Sequence, residues 1–451
     1  MRERLKSILL IVAICTSFYM TAQLWINNYS PPSQASAPVD VIEPEPLDVL
    51  APAVINLHQP SLSRQFSPSD LGFEAAWSAF RQIISGAPSV NVSVTTELEW
   101  KKALAGGSIE LKLAGIVQLR MWLEALSIQP SGLSNYGFSF DRVLLSATSN
   151  DIYFWDTLNA TYLIWDSVSP KEHPSRVKDD VAKTVAALHT LGSGHALRQL
   201  DPPYRALAAP WVYIPRSSGA WPQLWARGEK GKSQQVANGF FTDMSFVRKI
   251  EQRDGSLHFT DGSRGVYLES DGAVYYYDTR WFSPKRDNIH ANASLILSSG
   301  LKFVAIHGGW PGETRLKRME MALEQGVPYI HFEFTPFTTV SIGGVPQYVP
   351  IVSFRQQISL NVTERLVSEY ERFVYVPLQT GASPLPVLAA EAALRVAEEH
   401  LKLDVSITDM YLAYYQRDID QTEELLFPVW VIEQGAYKVL VHGYIALVIN
   451  P

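Results

Sequence analysis

Apolar residues recur along the chain with two periods, one typical of helices and one typical of strands. Two segments have the helical period, with a single apolar side that we expect to face a core. In FEAAWSAFRQII the apolar positions are Phe73, Trp77, Phe80 and Ile84. In SRVKDDVAKTVAALHTLG, which ends at Gly192, they are Val177, Val181, Val185 and Leu188. We therefore predict two amphipathic helices in the first half of the chain.

Short runs with strand character surround these helices. Five of them lie between residues 89 and 166: SVNVSV, SIELKL, FDRVLLSA, DIYFWDT and ATYLIWD. Farther on, three Asp-Gly pairs that begin at residues 254, 261 and 271 separate β-rich runs. Asp-Gly readily adopts the positive φ angles of a tight hairpin, so this region is predicted to be an antiparallel meander.

The second half of the chain repeats an order of strands followed by one helix. NASLILSSGLKFVAIHGGW is predicted to be a helix that ends in glycines. Strand-like runs after residue 320 then lead to the helix PLPVLAAEAALRVAEEHLKL and to four final strands. The repeated order indicates a weak internal duplication, and the predicted fold class is α+β with mainly antiparallel sheets.

The pattern of that last helix predicts its contacts. One face is expected to carry Leu385, Leu388, Ala392 and Val396. On its polar side, Glu391 and Arg395 are expected to form an i,i+4 ion pair.

The N-terminal stretch MRERLKSILLIVAICTSFYMTAQLWINN predicts a single transmembrane helix. Arg2, Arg4 and Lys6 precede about twenty mostly apolar residues without a charge, a length that spans a bilayer. The basic flank places the N-terminus in the cytoplasm and the rest of the chain outside. A cleaved signal peptide is the alternative, but the apolar region is long for one and lacks a small-x-small cleavage site.

Small residues lie along one stripe of this predicted helix. Ala13, Ser17 and Thr21 recur at i, i+4 and i+8. Small side chains let two helices approach closely in lipid, and hydroxyls form hydrogen bonds across the contact. We therefore expect a helix-packing site here, although three small residues in twenty also align often by chance.

The predicted organisation has six parts. A cytoplasmic basic flank and a membrane anchor are followed by a linker rich in proline and acidic residues and then by three ectodomain units. Their bounds are predicted at 1–6, 7–28, 29–53, 54–205, 206–318 and 319–451.

Composition excludes several classes of function. The net charge of −7, without a basic cluster beyond the N-terminus, argues against a nucleic-acid-binding protein. The single cysteine, Cys15, lies inside the apolar segment. The remaining chain therefore has no intrachain disulfide, no cysteine-based metal site and no thiol nucleophile.

The segment HGGW at residues 307–310 invites two interpretations. A His-Gly-Gly sequence forms part of the oxyanion hole of some esterases, but such an enzyme needs a nucleophile, and the chain has no Gly-x-Ser-x-Gly motif. In the favoured interpretation Gly308 and Gly309 end the preceding helix in a left-handed cap, and Trp310 packs against the last turn. We expect no catalytic residue here.

Other candidate sites are weaker. RGEKGKS at residues 227–233 lacks the first glycine of a phosphate-binding loop, because Ala226 stands there, and no convincing strand precedes it. The histidines show no HExxH motif and no paired ligand spacing, so neither a metal nor a cofactor is predicted. His331 and Glu333 share one strand face and are positioned to pair. No two carboxylates are singled out as a glycosidase dyad.

Several segments, in order along the chain, resemble the YycH family of low-GC Gram-positive bacteria. They are RERLKSILLI, SIELKLAGIVQLRMWL, FDRVLLSATSNDIYFWD, FFTDMSFVRKIEQRDGSLHFTDGSRGVYLESDGAVYYYD and HGGWPGETRL, with the helix-plus-strand C-terminus after them. The most specific part is the series at residues 241–265. The long Pro/Glu linker departs from the family's compact juxtamembrane start.

The resemblance implies a membrane-anchored, non-enzymatic extracytoplasmic regulator of the WalK (YycG) sensor histidine kinase. It also implies three ectodomain units, the last two similar to YycI, and action together with a YycI-like partner largely through transmembrane helices. One alternative is a binding or inhibitor module, because the C-terminal helix and the strands around Trp430 and Gly435 are similar to a PepSY-type domain. Another is a cell-envelope hydrolase, which would require a cleft with two buried carboxylates in catalytic reach.

Overall fold

The chain folds as a mixed α+β protein in which sheets predominate. The computed structural model describes Thr16 and residues 43–60, 62–85, 92–128, 138–165, 177–191, 194–209, 212–228, 233–281, 293–324, 327–380, 383–402, 404–417 and 423–449. No helix among these residues is long and apolar enough to cross a bilayer. The predicted anchor, 7–28, lies outside the described residues except for Thr16.

Eight α-helices are described. They are α1 Pro46–Leu50, α2 Leu71–Ser85, α3 Glu97–Ala105, α4 Leu119–Ala125, α5 Val177–Leu191, α6 Ser233–Phe240, α7 Ala293–Ile306 and α8 Ala390–Ala397.

The described strands of the first half follow in chain order. They are β1 Val54–His58, β2 Ser63–Phe66, β3 Val92–Thr95, β4 Ser108–Gln118, β5 Ser139–Ser146, β6 Ile152–Asp156, β7 Thr161–Trp165, β8 His195–Gln199, β9 Tyr213–Pro215, β10 Ala220–Trp221, β11 Leu224–Gly228, β12 Arg248–Glu251, β13 Leu257–Thr260, β14 Arg264–Leu268 and β15 Val274–Asp278.

The second half adds eleven described strands. They are β16 Thr314–Glu324, β17 Val327–Ile342, β18 Val345–Val352, β19 Ile358–Val362, β20 Val367–Arg372, β21 Tyr375–Thr380, β22 Leu385–Pro386, β23 Asp409–Tyr415, β24 Glu423–Gln434, β25 Tyr437–His442 and β26 Val448–Ile449.

Three mainly antiparallel sheets contain most of these strands, while β10 and β22 form a separate two-stranded sheet. The N-terminal sheet has the order β9-β8-β2-β1-β4-β5-β6-β7-β3. The middle sheet has the order β12-β13-β14-β15-β20-β19-β17-β16. In the C-terminal sheet, β24 pairs with β11, β23 and β25, while β21 and β26 extend it.

Strand pairings connect neighbouring sheets at two places. β16 of the middle sheet touches β4 of the N-terminal sheet in parallel at Arg318 and Ile116. The long strand β17 belongs to the middle sheet and also forms a hairpin with β18, which pairs in parallel with β23. A local strand contact thus connects the N-terminal and middle sheets, and the β17–β18 hairpin connects the middle and C-terminal sheets.

Two apolar cores lie on opposite faces of the N-terminal sheet. The first unites that sheet, α2 and α5 with the middle sheet and α7, and includes Phe80, Trp122 and Phe332. The second lies between the N-terminal and C-terminal sheets and includes Trp155 and Trp430. Both faces of the N-terminal sheet are therefore covered. This explains why Glu110, a charged residue on β4, is fully buried.

The two amphipathic helices predicted for the first half are confirmed. The four apolar positions of α2 and the four of α5 are all buried in the first core. The predicted meander is also confirmed, since β12 to β15 pair consecutively and antiparallel. The glycines of its turns, Gly255, Gly262 and Gly272, have φ of 86°, 93° and 97°.

The predicted face of the last helix is only partly correct, because Leu388 and Val396 pack against the second core but the other two predicted residues do not. Leu385 lies in the short strand β22, opposite Trp221, and is 43% exposed. The helix begins only at Ala390, and the residues that it buries are Ala390, Ala393, Leu394 and Ala397. The physical reason is Pro386, because the residue before a proline is disfavoured in helical conformation.

The partner of Glu391 also differs from the prediction, because Glu391 pairs with Arg198 and not with Arg395. Arg198 of β8 donates to the two carboxylate oxygens of Glu391 from Nη1 and Nη2, at 2.6 and 2.9 Å. This two-pronged contact, which ties the N-terminal sheet to α8, is stronger than a single exposed i,i+4 pair.

Candidate functional site

The HGG cap, residues 307–309, ends α7. Gly308 and Gly309 have φ of 124° and 74°, the left-handed region that glycine occupies without strain. The Gly309 amide donates to the Val304 carbonyl at 2.9 Å, which closes the helix with a Schellman-type bond. The structure thus confirms the left-handed cap, while the ring of Trp310 packs edge-on against Phe334 of β17.

The HGG cap is bound to β20 through its carbonyl groups. The Tyr370 hydroxyl donates to the carbonyl of His307 at 3.1 Å, and Arg372 Nη1 donates to that of Gly309 at 2.7 Å. An oxyanion hole needs backbone N–H groups that point at a substrate oxygen. The Gly309 N–H is instead used inside the cap, so this segment positions a helix end.

A cleft of about 450 Å³ opens beside the HGG cap. Its lining residues are Trp310, Pro311, Gly312, Glu313, Phe337, Thr338, Thr339, Tyr348, Val376 and Pro377. Glu313 is the only carboxylate among them, and its side chain is 58% exposed. A glycosidase dyad requires two carboxyl groups across the scissile bond, so this cleft does not provide one.

A buried ionic cluster lies between the N-terminal and C-terminal sheets. It consists of His58, Glu110, Lys112, Arg142 and Asp409. Arg142 Nη1 donates to Glu110 Oε1 at 3.0 Å, and His58 Nε2 lies 2.9 Å from Glu110 Oε2. Arg142 Nη2 is 3.5 Å from Asp409 Oδ1, and Lys112 forms an ion pair with the same carboxylate. Because Asp409 begins β23, the cluster connects the two sheets.

Both carboxylates of the ionic cluster are held in the charged form. Burial by itself would raise the pKa of Glu110, but Arg142 and His58 lower it well below the ordinary value. Burial likewise acts to raise the pKa of Asp409, and Lys112 and Arg142 outweigh it. A general acid needs a carboxyl group that keeps its proton near neutral pH. Glu110 and Asp409 do not meet this requirement. Their role in the ionic cluster is to connect the two sheets through charge–charge contacts.

The pKa of Asp141, the residue before Arg142, is shifted in the opposite direction to those of Glu110 and Asp409. Burial raises its pKa to about 6, although Arg142 and hydrogen bonds from Thr157 oppose the shift. The Thr157 amide and hydroxyl both donate to its carboxylate at 2.8 Å. The protonated form is thus favoured in the folded state more than in the unfolded chain.

We expect Asp141→Asn to flatten the dependence of stability on pH between 4 and 6. Because the folded-state pKa is raised from 3.8 to about 6, the stabilisation is complete below pH 3.8 and is lost as the pH rises through 6. At 1.36 kcal/mol per pKa unit, the loss amounts to about 3 kcal/mol. The measurement is urea unfolding of both proteins from pH 4 to 7. Parallel curves for the two proteins would contradict the assignment.

The tyrosine face lies on the side of the middle sheet opposite α7. It consists of His258, Tyr267, Tyr275 and Tyr277, which are half-buried and adjacent in register. The rings of His258 and Tyr267 stack at 4.0 Å, and Tyr277 Oη lies 3.3 Å from His258 Nε2. Burial and the nearby Glu369 raise the pKa of Tyr275 to about 12. Such amphipathic rings are common in protein interfaces.

The predicted pair of His331 and Glu333 is present on the same side of the sheet. His331 Nε2 lies 3.3 Å from Glu333 Oε1, and His331 Nδ1 lies 2.6 Å from Asn361 Oδ1. Burial acts to raise the pKa of Glu333, but His331 and Lys317 lower it to about 2. Among the described residues no group of three or more His, Cys, Asp or Glu is arranged to hold a metal ion. This pair is therefore part of a hydrogen-bonded surface.

A strand does precede the RGEKGKS segment, contrary to the sequence-based expectation. This strand is β11, which ends at Gly228 and pairs antiparallel with β21 and β24. Residues 229–232 lie outside the described part of the chain, and α6 begins at Ser233. Ala226, where a phosphate-binding loop has its first glycine, is fully buried in the second core.

The residues predicted to act in the membrane lie outside the described part of the chain. They are the helix-packing residues Ala13, Ser17 and Thr21 and the topology determinants Arg2, Arg4 and Lys6.

Sequence reasoning missed the ionic cluster, since each of its members stands in an ordinary strand pattern. The one available signal was the charged pair Asp141-Arg142 at the start of the apolar run VLLSA.

Comparison with known proteins gives one informative likeness. No protein-family model and no curated protein matches the chain by sequence. The crystal structure of YycH from Bacillus subtilis matches with a TM-score of 0.54 and 12% identity, over 89% of this chain and 98% of that one.

Two other solved structures are less similar. An uncharacterized protein from Eubacterium rectale has a TM-score of 0.33 and 9% identity, over 53% of this chain and 90% of its own. The YpeB C-terminal domain of Bacillus megaterium has a TM-score of 0.26 and 14% identity, over 49% of this chain and 96% of its own. The resemblance to YycH that the sequence indicates is confirmed in the architecture, and this chain has the fold of YycH.

Proposed function

We propose that this chain is a membrane-anchored, non-enzymatic regulator of a sensor histidine kinase of the WalK/YycG type. The observation that carries the proposal is the likeness to YycH, which extends over 89% of this chain and 98% of that protein. Sequence segments spread along the same length support it, among them the series at residues 241–265.

The geometry of the candidate sites agrees with a regulatory role. The Gly309 amide is engaged in the HGG cap, and the carboxylates of the ionic cluster are paired with basic side chains. The tyrosine face, in contrast, presents rings with polar tips on a broad sheet, as protein interfaces do. These features favour binding to another protein over catalysis.

The proposed mechanism acts through the membrane. Residues 7–28 would cross the bilayer once, with Arg2, Arg4 and Lys6 in the cytoplasm and the ectodomain outside the cell. The small-residue stripe of that helix would pack against the kinase helices and bind one of their two arrangements more tightly. The helix can shift the kinase equilibrium only by this difference in affinity. A YycI-like protein is the proposed ectodomain partner.

A second candidate function is a PepSY-like binding or inhibitor module for a cell-envelope protein or ligand. The arrangement of α8 against the strands β24 and β25 favours it. In this arrangement Trp430 Nε1 donates to the Leu388 carbonyl at 2.9 Å, which fixes the segment before the helix to the sheet. The ectodomain alone would suffice for such a function, whereas regulation through the bilayer requires the anchor.

A membrane pull-down with three baits tests the proposed function. The baits are the full-length chain, residues 1–30 fused to an inert soluble domain, and the ectodomain alone. We expect the short anchor to retain a sensor histidine kinase. Changing Ala13, Ser17 and Thr21 together to leucine is expected to reduce retention by about tenfold, equivalent to about 1.4 kcal/mol, because bulky side chains block close helix packing.

The control changes Ile11, Cys15 and Tyr19 together to leucine. In the predicted helix these residues would lie about 200° around the axis from the small-residue stripe, and the change should leave retention unchanged. Equal losses for both triple variants would indicate damage to the anchor, not loss of a specific contact. Retention of the kinase by none of the three baits would overturn the proposal, and retention of an envelope component by the ectodomain would favour the second candidate.

A further inference from the structure

The strand β12, Arg248–Glu251, forms one edge of the middle sheet. It pairs with β13 and with no other described strand, and all four of its residues are exposed. An open edge presents unpaired backbone donors and acceptors and is a template for another strand. Two large apolar residues lie at this edge, since Ile250 is 49% exposed and Phe246 is 77% exposed.

The register with β13 shows which way each side chain of β12 points. Ile250 stands opposite His258 and therefore lies on the tyrosine face. Lys249 stands opposite Phe259, which is buried in the first core, so Lys249 and its alternate neighbour Glu251 lie on the other side. Neither Lys249 nor Glu251 forms an ion pair with any described residue. Both charges are therefore available to a partner strand.

A second copy of the chain fits this edge in one register. When two identical strands pair antiparallel about a two-fold axis, residues directly opposite must lie on the same face. A pairing centred on Ile250 places Ile250 opposite its own copy and Lys249 opposite Glu251 twice. The adjacent allowed register, centred on Lys249, places two lysines opposite each other. Opposite charges across strands are stabilising and like charges destabilising, so the register centred on Ile250 is selected.

We propose that two copies of this chain associate through their β12 edges, antiparallel and centred on Ile250. The two middle sheets then form one continuous sheet, with the tyrosine faces of both copies on the same side. The contact covers the exposed Ile250 and satisfies backbone groups that the isolated edge leaves to water. The occupant is inferred to be a second copy because the sequence Lys249-Ile250-Glu251 is complementary to itself.

Disulfide trapping of the full-length chain in membranes tests this pairing. In a Cys15→Ser background, Ile250→Cys places two thiols directly opposite each other. Their Cα atoms would be about 4.5–5.5 Å apart, within the range that a disulfide spans. Lys249→Cys is the matched control, because its two copies would be about 8 Å apart, beyond that range. We expect at least about tenfold more cross-linked dimer for Ile250→Cys. Absence of a dimer, or equal trapping at both positions, would overturn the proposal.

Charge exchange provides an independent measurement. Lys249→Glu or Glu251→Lys alone places like charges opposite each other twice and should reduce Ile250→Cys trapping severalfold. The variant that carries both changes restores complementary pairs and should recover trapping. Failure of the double variant to recover, while all variants keep the circular dichroism spectrum of the parent, would contradict the register. The result does not depend on whether the chain binds a kinase.

Discussion

Replacing Arg142 with methionine is expected to lower the free energy of unfolding by about 3–5 kcal/mol. Arg142 is 3% exposed and lies between the carboxylates of Glu110 and Asp409, with its guanidinium 5.3 Å from the centre of the Trp155 ring. Methionine fills similar volume without a charge. The two carboxylates would then keep only His58 and Lys112 as basic partners, and Glu110 itself is fully buried.

The measurement is urea-induced unfolding at pH 7, followed by tryptophan fluorescence. Arg227→Met is the matched control, because Arg227 pairs with Glu423 at 2.8 Å but both side chains are about half exposed. Exposed pairs contribute about 0–1 kcal/mol, so this control should be close to the parent protein. The double variant Arg142→Met/Glu110→Gln should recover part of the loss, since it removes one uncompensated charge. Equal effects of Arg142→Met and Arg227→Met would contradict the role of the ionic cluster.

The elements of the first half could be predicted because each carries its own periodic signal. In α2 and α5 one apolar stripe is buried and the remaining positions face away from the core, which is the condition under which periodicity reveals a helix. The turns of the meander follow from Asp-Gly pairs, whose conformation is local. The HGG cap could likewise be inferred, because two glycines after an apolar run are a local signal.

The buried ionic cluster could not be predicted, because its burial arises between sheets. In SIELKL the alternation places Ile109 and Leu111 on one face and Glu110 on the other, which is the usual pattern of a half-exposed strand. The C-terminal sheet, some 300 residues later, covers that other face. Glu110 is consequently fully buried. The alternation in SIELKL thus correctly predicts a strand, but it wrongly predicts that Glu110 is exposed to solvent.

The proposed contact of β12 with a second copy also could not be predicted from the sequence alone, because it depends on the arrangement of the strands. The sequence predicts a β-rich run before the Asp-Gly pair at residue 254, but only the sheet order identifies β12 as an edge strand. Only the pairing with β13 shows that Lys249 and Ile250 point to opposite faces. The self-complementary sequence Lys249-Ile250-Glu251 therefore predicts a contact only once the fold shows that these residues form an open edge.

Gly115→Ala is expected to destabilise the protein by about 3 kcal/mol, at the upper end of the range for overpacked sites. Gly115 lies where β4 crosses β16, and a Cβ added there would overlap the carbonyl oxygen of Lys317. The obstacle is backbone, so no side-chain rotation relieves it. β4 already interrupts its pairing with β5 between Lys112 and Val117 to reach this contact. The junction between the N-terminal and middle sheets would have to open.

Gly239→Ala provides the matched control, because no atom lies within 4 Å of a Cβ at that position in α6. Alanine is the better helix former by about 1 kcal/mol, so this change should leave the protein as stable as the parent or slightly more so. Thermal unfolding would separate the two variants, and amide exchange would locate the effect. We expect faster exchange for Gly115→Ala in peptides covering residues 112–118 and 314–320. Unchanged exchange in both peptides would mean that the close approach of β4 and β16 is not required to join the sheets.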